Sequence, residues 1–101
     1  MADKIKMREG ETVEFKKSLA ELKEGIVSIT AILNKHGKGE LWFGVKNDGT
    51  ALGMDVGEKT LRDLSQSIAA HIEPRNYPHV SVENYYGKKC IFEKYSHWNA
   101  S

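Results

Sequence analysis

The clearest pattern of apolar and polar positions predicts a helix in the first third of the chain. Its apolar residues recur at i, i+4, i+7 and i+11, and they are Leu22, Ile26, Ile29 and Leu33. Ser18 and Glu21 precede this stripe at the spacing of a capping box, in which each side chain accepts a backbone N–H at the helix start. Gly37 follows the stripe and suits the positive φ with which many helices end. We therefore expect the helix to begin at Ser18 and to end within 34–39.

A second amphipathic stretch predicts a helix beyond the middle of the chain. Its apolar residues again recur at helical spacing, and they are Leu61, Leu64, Ile68 and Ile72. Thr60 and Asp63 offer a reciprocal cap at its start. Glu73 and Pro74 mark its end, because proline disfavours helical backbone in the residue before it.

Short stretches that are apolar throughout, or that alternate apolar and polar residues, predict strands. They are residues 12–16, 41–45, 50–54, 80–85 and 90–93. Val13 and Phe15 alternate with charged residues, as in a half-buried strand, whereas 41–45 is apolar enough for a central buried strand. Asp48 and Gly49 form a good hairpin-turn pair, so we expect 50–54 to return beside 41–45.

The order strand, helix, strand, strand, helix, strand, strand predicts an α+β fold. We expect a small mixed or antiparallel sheet with two helices packed on one face. A length of 101 residues fits one domain, covering residues 1–101. The sequence has no apolar run near the roughly 20 residues of a membrane-spanning helix and no apolar stretch of a secretory signal after its first residues. We therefore expect a cytoplasmic protein that makes no contact with a membrane.

Charge and cysteine content narrow the classes of function. With 15 Lys and Arg against 14 Asp and Glu, the formal net charge is +1, which excludes a histone-like polycation but allows a local basic patch. The single cysteine, Cys90, excludes an internal disulfide and a multi-cysteine zinc site, and we expect a buried structural thiol. The four histidines share no metal-ligand spacing, and no glycine motif of a nucleotide-binding loop stands in the required context, so we predict no resident metal or other cofactor.

Basic residues concentrate around two predicted connections. Three lie in the loop after the first helix and three flank the first two strands, and together they are Lys16, Lys17, Lys35, His36, Lys38 and Lys46. Loop lysines can reach phosphate groups as flexible point charges, so these six residues are candidate nucleic-acid contacts. The alternative is a solvated face that only keeps the domain soluble.

Carboxylates at the start of the chain and after the central strand suggest a different chemistry. Glu9, Glu14 and Asp48 could gather at one end of a sheet and hold Mg²⁺ or Mn²⁺ for phosphodiester cleavage. The alternative is again solvent exposure, which is usual for glutamates that precede a strand. A metal-dependent nuclease is therefore an alternative function, with a cofactor only in that case.

Five stretches carry a resemblance to a known family. They are Glu14-Phe15-Lys16-Lys17-Ser18, residues 29–34, residues 37–45, residues 47–53 and Ile72-Glu73-Pro74. In this order they resemble the Schlafen/Alba-2-type domain, a DNA-binding module at the N-terminus of many bacterial transcriptional regulators. The resemblance runs from about Glu9 to Phe92. It implies an Alba-like fold that is often dimeric, with nucleic acid, most of all DNA, as the partner.

Two departures from the family pattern qualify what the resemblance implies. RNA-cleaving relatives use two glutamates spaced as Glu9 and Glu14 are, with an aspartate at the position of Asn47 here and Asp48 next to it. Because an amide is a poorer ligand for a hard cation than a carboxylate, we expect a binding domain rather than a nuclease. Bacterial relatives also continue beyond the last strand, so we expect this chain to lack the family's C-terminal segment. A protein-interaction or dimerisation domain is a third alternative.

Overall fold

The structure, a computed structural model, describes residues 10–96 except for the side chain of Arg75. The elements that position the site are β1 (Val13–Lys16), α1 (Leu22–His36), β2 (Lys38–Phe43), α2 (Glu58–His71), β3 (His79–Tyr85) and β4 (Lys88–Ser96). Short 3-10 turns, Leu19–Glu21 and Pro74–Asn76, precede α1 and β3. Neither helix within these residues is long and apolar enough to cross a membrane. The predicted α+β fold is confirmed.

The four strands form one mixed sheet in the order β1-β2-β4-β3. β1 and β2 are parallel, and α1 connects them across one face. β4 runs antiparallel to both of its neighbours. Its Phe92 lies opposite Trp42 of β2, and its Ile91 lies opposite Val82 of β3. β1 and β3 are therefore the edge strands.

Both helices pack on the same face of the sheet, as predicted. Ile29 of α1 and Ile68 of α2 are fully buried against Leu41 and Phe43 of β2 and Ile91 of β4. The pleat turns the alternate residues of each strand to the opposite face. There a second, aromatic cluster is centred on Trp42, whose ring lies 4.4 Å from Phe92 and 5.7 Å from Tyr85 between ring centroids.

The start of α1 uses the two predicted capping side chains, but the α-helix begins later than expected. Ser18 Oγ accepts the N–H of Ala20 at 3.2 Å, and Glu21 Oε1 accepts the N–H of Lys17 at 2.8 Å. These bonds stabilise a 3-10 turn that leads into the α-helix at Leu22. At the other end Gly37 adopts a φ of 78° and donates to Leu33, so the predicted glycine cap is confirmed.

The prediction that Thr60 and Asp63 cap α2 is wrong. The helix begins at Glu58 with Gly57 as its N-cap, and Thr60 Oγ1 accepts the N–H of Gly57 at 3.3 Å. Asp63 instead binds Lys59 at 2.8 Å along the exposed side of the helix. Thr60 therefore caps the helix from its third residue, because glycine occupies the N-cap position.

The predicted strand at 50–54 is also wrong, since only a single bridge joins Val45 to Ala51. The central strand runs from Lys38 to Phe43 rather than over 41–45. Gly44 has a φ of 90°, which ends the extended backbone of β2. Its carbonyl then accepts the N–H groups of both Leu52 and Gly53, at 2.7 and 3.1 Å, so that the returning segment turns away instead of forming a ladder.

Candidate nucleic-acid interface

The sheet separates the six basic candidates into two groups. We call the end of the sheet at which β1 and β2 finish the carboxyl end, and the end at which they start the amino end. Lys16, Lys17 and Lys46 lie at the carboxyl end, whereas Lys35, His36 and Lys38 lie at the amino end. The six residues of β2 separate the two ends by about 17 Å. The six residues therefore do not form one surface.

Two further lysines join the group at the carboxyl end. Phe43, the last residue of β2, lies opposite Ile91 of the antiparallel β4, so Lys89 and Lys88 lie two and three residues beyond the end of β2. The backbone N–H groups of Gly44 and Val45 bind the carbonyl of Lys16, which ties the end of β1 to the same region. We call Lys17, Lys46, Lys88 and Lys89 the carboxyl-end lysine cluster.

A cleft of about 690 Å³ opens beside this cluster. Residues 52–57 form one wall and residues 87–89 form the other, and Asp55 is an acidic residue in the lining. The two walls meet tightly at Gly53, where an added Cβ would lie 2.9 Å from Cβ of Lys88. The backbone of 52–57 therefore sets the position of the strand that carries Lys88 and Lys89.

Lys16 is the least accessible of the basic candidates at the carboxyl end. Its Nζ lies 3.4 Å from Oε2 of Glu14, and the two side chains are only 16% and 20% exposed. Residues 14 and 16 share a strand face because side chains alternate along β1. Lys16 thus neutralises Glu14, while Lys17 and Lys46 are exposed.

The basic group at the amino end is interleaved with carboxylates. Lys35 and Lys38 are exposed, but His36 is 23% exposed and its Nε2 lies 3.8 Å from Oε1 of Glu11. Lys94 of β4 joins this group, and it lies opposite Glu40 in the sheet. The positive charge of the amino end is therefore partly compensated by neighbouring side chains.

The family model described as Schlafen, AlbA_2 matches residues 9–95. The chain belongs to this family. No curated protein matches the sequence. The match covers β1 to β3 and all of β4 except its last residue, together with both basic groups. Membership relates this AlbA_2 domain to nucleic acids.

Glu14 and Asp48, the acidic candidates among residues 10–96, do not belong to a group of side chains that could hold a metal ion. Glu14 faces Lys16, and Asp48 Oδ1 accepts the N–H of Thr50 at 2.9 Å inside the turn after β2. Glu9 lies outside the described residues. Within residues 10–96 no three His, Cys, Asp or Glu side chains are arranged to hold a metal ion. The nuclease assignment stays a prediction. Its test is to incubate labelled RNA and Mn²⁺ with the wild type and with the Glu14→Ala variant, and cleavage that survives the substitution would refute the assignment.

Cys90 is fully buried, as the sequence predicts. Its Sγ donates to the carbonyl of Gly44 at 3.5 Å. Burial raises the pKa of the thiol above its usual value, so the nucleophilic thiolate is disfavoured. The contact with Gly44 gives the residue a structural role beneath the carboxyl end.

A buried glutamate–tyrosine pair lies beneath the helices and was not predicted from the sequence. Glu93 is fully buried on the helix-covered face, where its Oε1 accepts the hydroxyl proton of Tyr95 at 2.7 Å. Its Oε2 has no hydrogen-bond partner within residues 10–96. Burial raises the pKa of Glu93 to about 7, and it also raises the pKa of Tyr95. In sequence Glu93 follows the apolar run Cys90-Ile91-Phe92, and no local pattern marks it as buried, so only the helix packing reveals its burial.

Proposed function

We propose that this AlbA_2 domain binds nucleic acid, with DNA as the expected partner, as the recognition module of a transcriptional regulator. The observation that carries this proposal is the convergence of Lys17, Lys46, Lys88 and Lys89, which come from three separate segments, at one end of the sheet. Lysine ammonium groups bind backbone phosphates without reading bases. The cluster would therefore supply affinity and orientation more than sequence specificity.

The carboxyl end is the better candidate of the two basic groups. Lys17, Lys46 and Lys89 are exposed, and Lys89 lines the cleft of about 690 Å³ together with Lys88. At the amino end, Glu11 lies beside His36 and Glu40 lies opposite Lys94. Carboxylates repel phosphate at either end, and Asp55 lines the cleft at the carboxyl end. The carboxyl end is favoured because Lys17, Lys46 and Lys89 are all exposed, whereas His36 and Lys94 each have a carboxylate beside or opposite them.

Two matched charge reversals test which end binds. Lys46→Glu/Lys89→Glu changes the carboxyl end and Lys35→Glu/Lys38→Glu changes the amino end, and each takes the formal net charge from +1 to −3. All four side chains are exposed, so the fold should survive. Affinity for duplex DNA, single-stranded DNA and RNA is measured by fluorescence anisotropy between about 50 and 200 mM salt.

We expect the carboxyl-end variant to lose affinity at least about tenfold and to lower the slope of log affinity against log salt by about 2, since each lost phosphate contact removes about 0.9. The amino-end variant should change affinity much less and keep the slope. Equal losses in both variants would contradict the assignment to one end. If the wild-type domain retains no nucleic acid even at low salt, the proposed function is wrong, and light scattering then tests the alternative of a homo-oligomeric interaction domain.

A further inference from the structure

The turn between β3 and β4 holds a tyrosine in an unusual backbone conformation. Tyr85 is opposite Lys88, so Tyr86 and Gly87 alone form the turn, with φ angles of 56° and 82°. Asn84 Oδ1 accepts the N–H of Gly87 at 3.0 Å and fixes the turn. Tyr86 is the single non-glycine residue with positive φ among residues 10–96. Two-residue turns of this kind strongly favour asparagine or glycine at that position.

The packing of the fold does not account for an aromatic ring at this position. The Tyr86 side chain is 58% exposed, and within residues 10–96 it makes no hydrogen bond, ion pair or ring contact. Tyr85, its neighbour, packs instead against Trp42 in the aromatic cluster. The turn therefore presents Tyr86 to solvent from a rigid, hydrogen-bonded hairpin, although a smaller residue would adopt this backbone more readily.

The hairpin tip that carries Tyr86 leads directly into two residues of the carboxyl-end lysine cluster. Lys88 and Lys89 follow it by two and three residues, and Leu52, an exposed apolar residue, lines the same cleft as Gly87 and Lys88. Exposed aromatic rings beside lysines are the arrangement with which proteins bind single strands. The lysines hold the phosphates and each ring stacks on a base.

We propose that Tyr86 stacks on an unpaired base, so that the nucleic acid bound at the carboxyl end is single-stranded there. In a duplex the faces of the bases are covered by their neighbours, and a ring at the hairpin tip would reach only base edges or the backbone. The inference rests on the proposed function, because it assumes that the lysine cluster holds the phosphates. To the proposed function it adds that the bound nucleic acid is single-stranded at this point and that Tyr86 contacts a base.

The test compares Tyr86→Asn, Tyr86→Phe and, as a matched control, Tyr77→Asn, which changes an exposed tyrosine near the amino end. The probes are oligo-dT, oligo-rU and a duplex DNA, each of about 12 nucleotides or base pairs, at one low salt concentration. We expect Tyr86→Asn to weaken binding of the single strands about tenfold, which is in the range for loss of one stacked base. Tyr86→Phe and Tyr77→Asn should bind as the wild type does, and duplex binding should not change.

The outcomes separate this inference from the proposed function. If Tyr86→Asn binds single strands normally while Lys46→Glu/Lys89→Glu does not, the stacking role is wrong and the lysine cluster stands. If Tyr86→Asn weakens duplex binding equally, the single-strand assignment is wrong. If the wild type binds none of the three probes, both proposals fail. Thermal denaturation is the check on folding, and Tyr86→Asn should be at least as stable as the wild type because asparagine suits the turn.

Discussion

The two ends of the sheet are built by different means. At the carboxyl end the chain turns repeatedly through backbone with positive φ, and the residues that adopt it are Gly44, Gly49, Gly53, Tyr86 and Gly87. The amino end, within residues 10–96, has one residue of this kind, Gly37, between the last turn of α1 and the start of β2, and the buried Glu93–Tyr95 pair lies beneath the helices toward that end. The carboxyl end therefore contains most of these backbone conformations, whereas a buried carboxyl group lies beneath the helices toward the amino end. The two ends should respond to different perturbations.

The largest expected effect concerns the buried carboxyl group of Glu93. Its pKa is about 7 in the folded domain and 4.5 in an unperturbed side chain. As the pH rises, the unfolded chain gives up this proton first, so the free energy of unfolding falls as the pH rises from about 4.5 to about 7. Between pH 5 and pH 8 we expect a loss of about 2–3 kcal/mol, at about 1.4 kcal/mol for each pKa unit.

Urea denaturation at several pH values measures this dependence. Glu93→Gln keeps the shape of the side chain without the titrating proton, so its free energy of unfolding should stay level over the same range. Glu24→Gln, on the exposed side of α1, is the control and should follow the wild type. Parallel wild-type and Glu93→Gln curves would show that Glu93 does not titrate in this range.

The next effect is at the carboxyl end, where Gly53→Ala should destabilise the domain by about 2 kcal/mol. Gly53 has a φ of 80°, and an added Cβ would lie 2.9 Å from Cβ of Lys88. Both the backbone strain and the contact act on the wall of the cleft that positions Lys88. Chemical denaturation checks the change, and Gly10→Ala, which meets no atom within 4 Å, is the control. Equal stability of the two variants would refute the tight contact.

The matched substitution near the amino end, Gly39→Ala, should have a smaller effect of about 1 kcal/mol. An added Cβ there would lie 2.7 Å from Cδ1 of Ile29 and 2.8 Å from Cγ2 of Ile32. Cδ1 of Ile29 is the end of a side chain that can rotate away, and Gly39 has no positive φ, so no backbone strain adds to these contacts as it does at Gly53. A loss for Gly39→Ala greater than that for Gly53→Ala would reverse the comparison between the two ends.

The parts of the fold that depend on residues close in sequence were predictable. The apolar stripes through Ile29 and Ile68 identify both helices and the faces that they bury. The segment 50–54, wrongly predicted as a strand, depends on more than its own residues. Asp48-Gly49 is a good turn signal, but the hydrogen bonds that the Gly44 carbonyl accepts from Leu52 and Gly53 divert the segment that follows.

The candidate site depends on how segments distant in sequence are placed in the sheet, and local patterns reveal only part of it. Lys17 and Lys46 were predicted as phosphate contacts, but nothing local relates them to Lys88 and Lys89, since it is the antiparallel register of β2 and β4 that places them at the same end of the sheet. Burial of Glu93 likewise depends on two helices packed over the sheet. Strand register and layer packing are properties of the whole chain, so short-range patterns do not reveal them.

The smallest expected effect is at Tyr86 in the carboxyl end. It shows whether this residue contributes to the stability of the fold or only to binding. Tyr86→Asn should raise the free energy of unfolding by about 0.5–1 kcal/mol, since asparagine tolerates the positive φ of this turn better than tyrosine. Tyr86→Phe should leave stability unchanged, because its ring meets the same backbone strain. Denaturant titrations of the three proteins measure the differences. If Tyr86→Asn is less stable than the wild type, the ring contributes to the fold, and its exposure at the hairpin tip does not imply a partner.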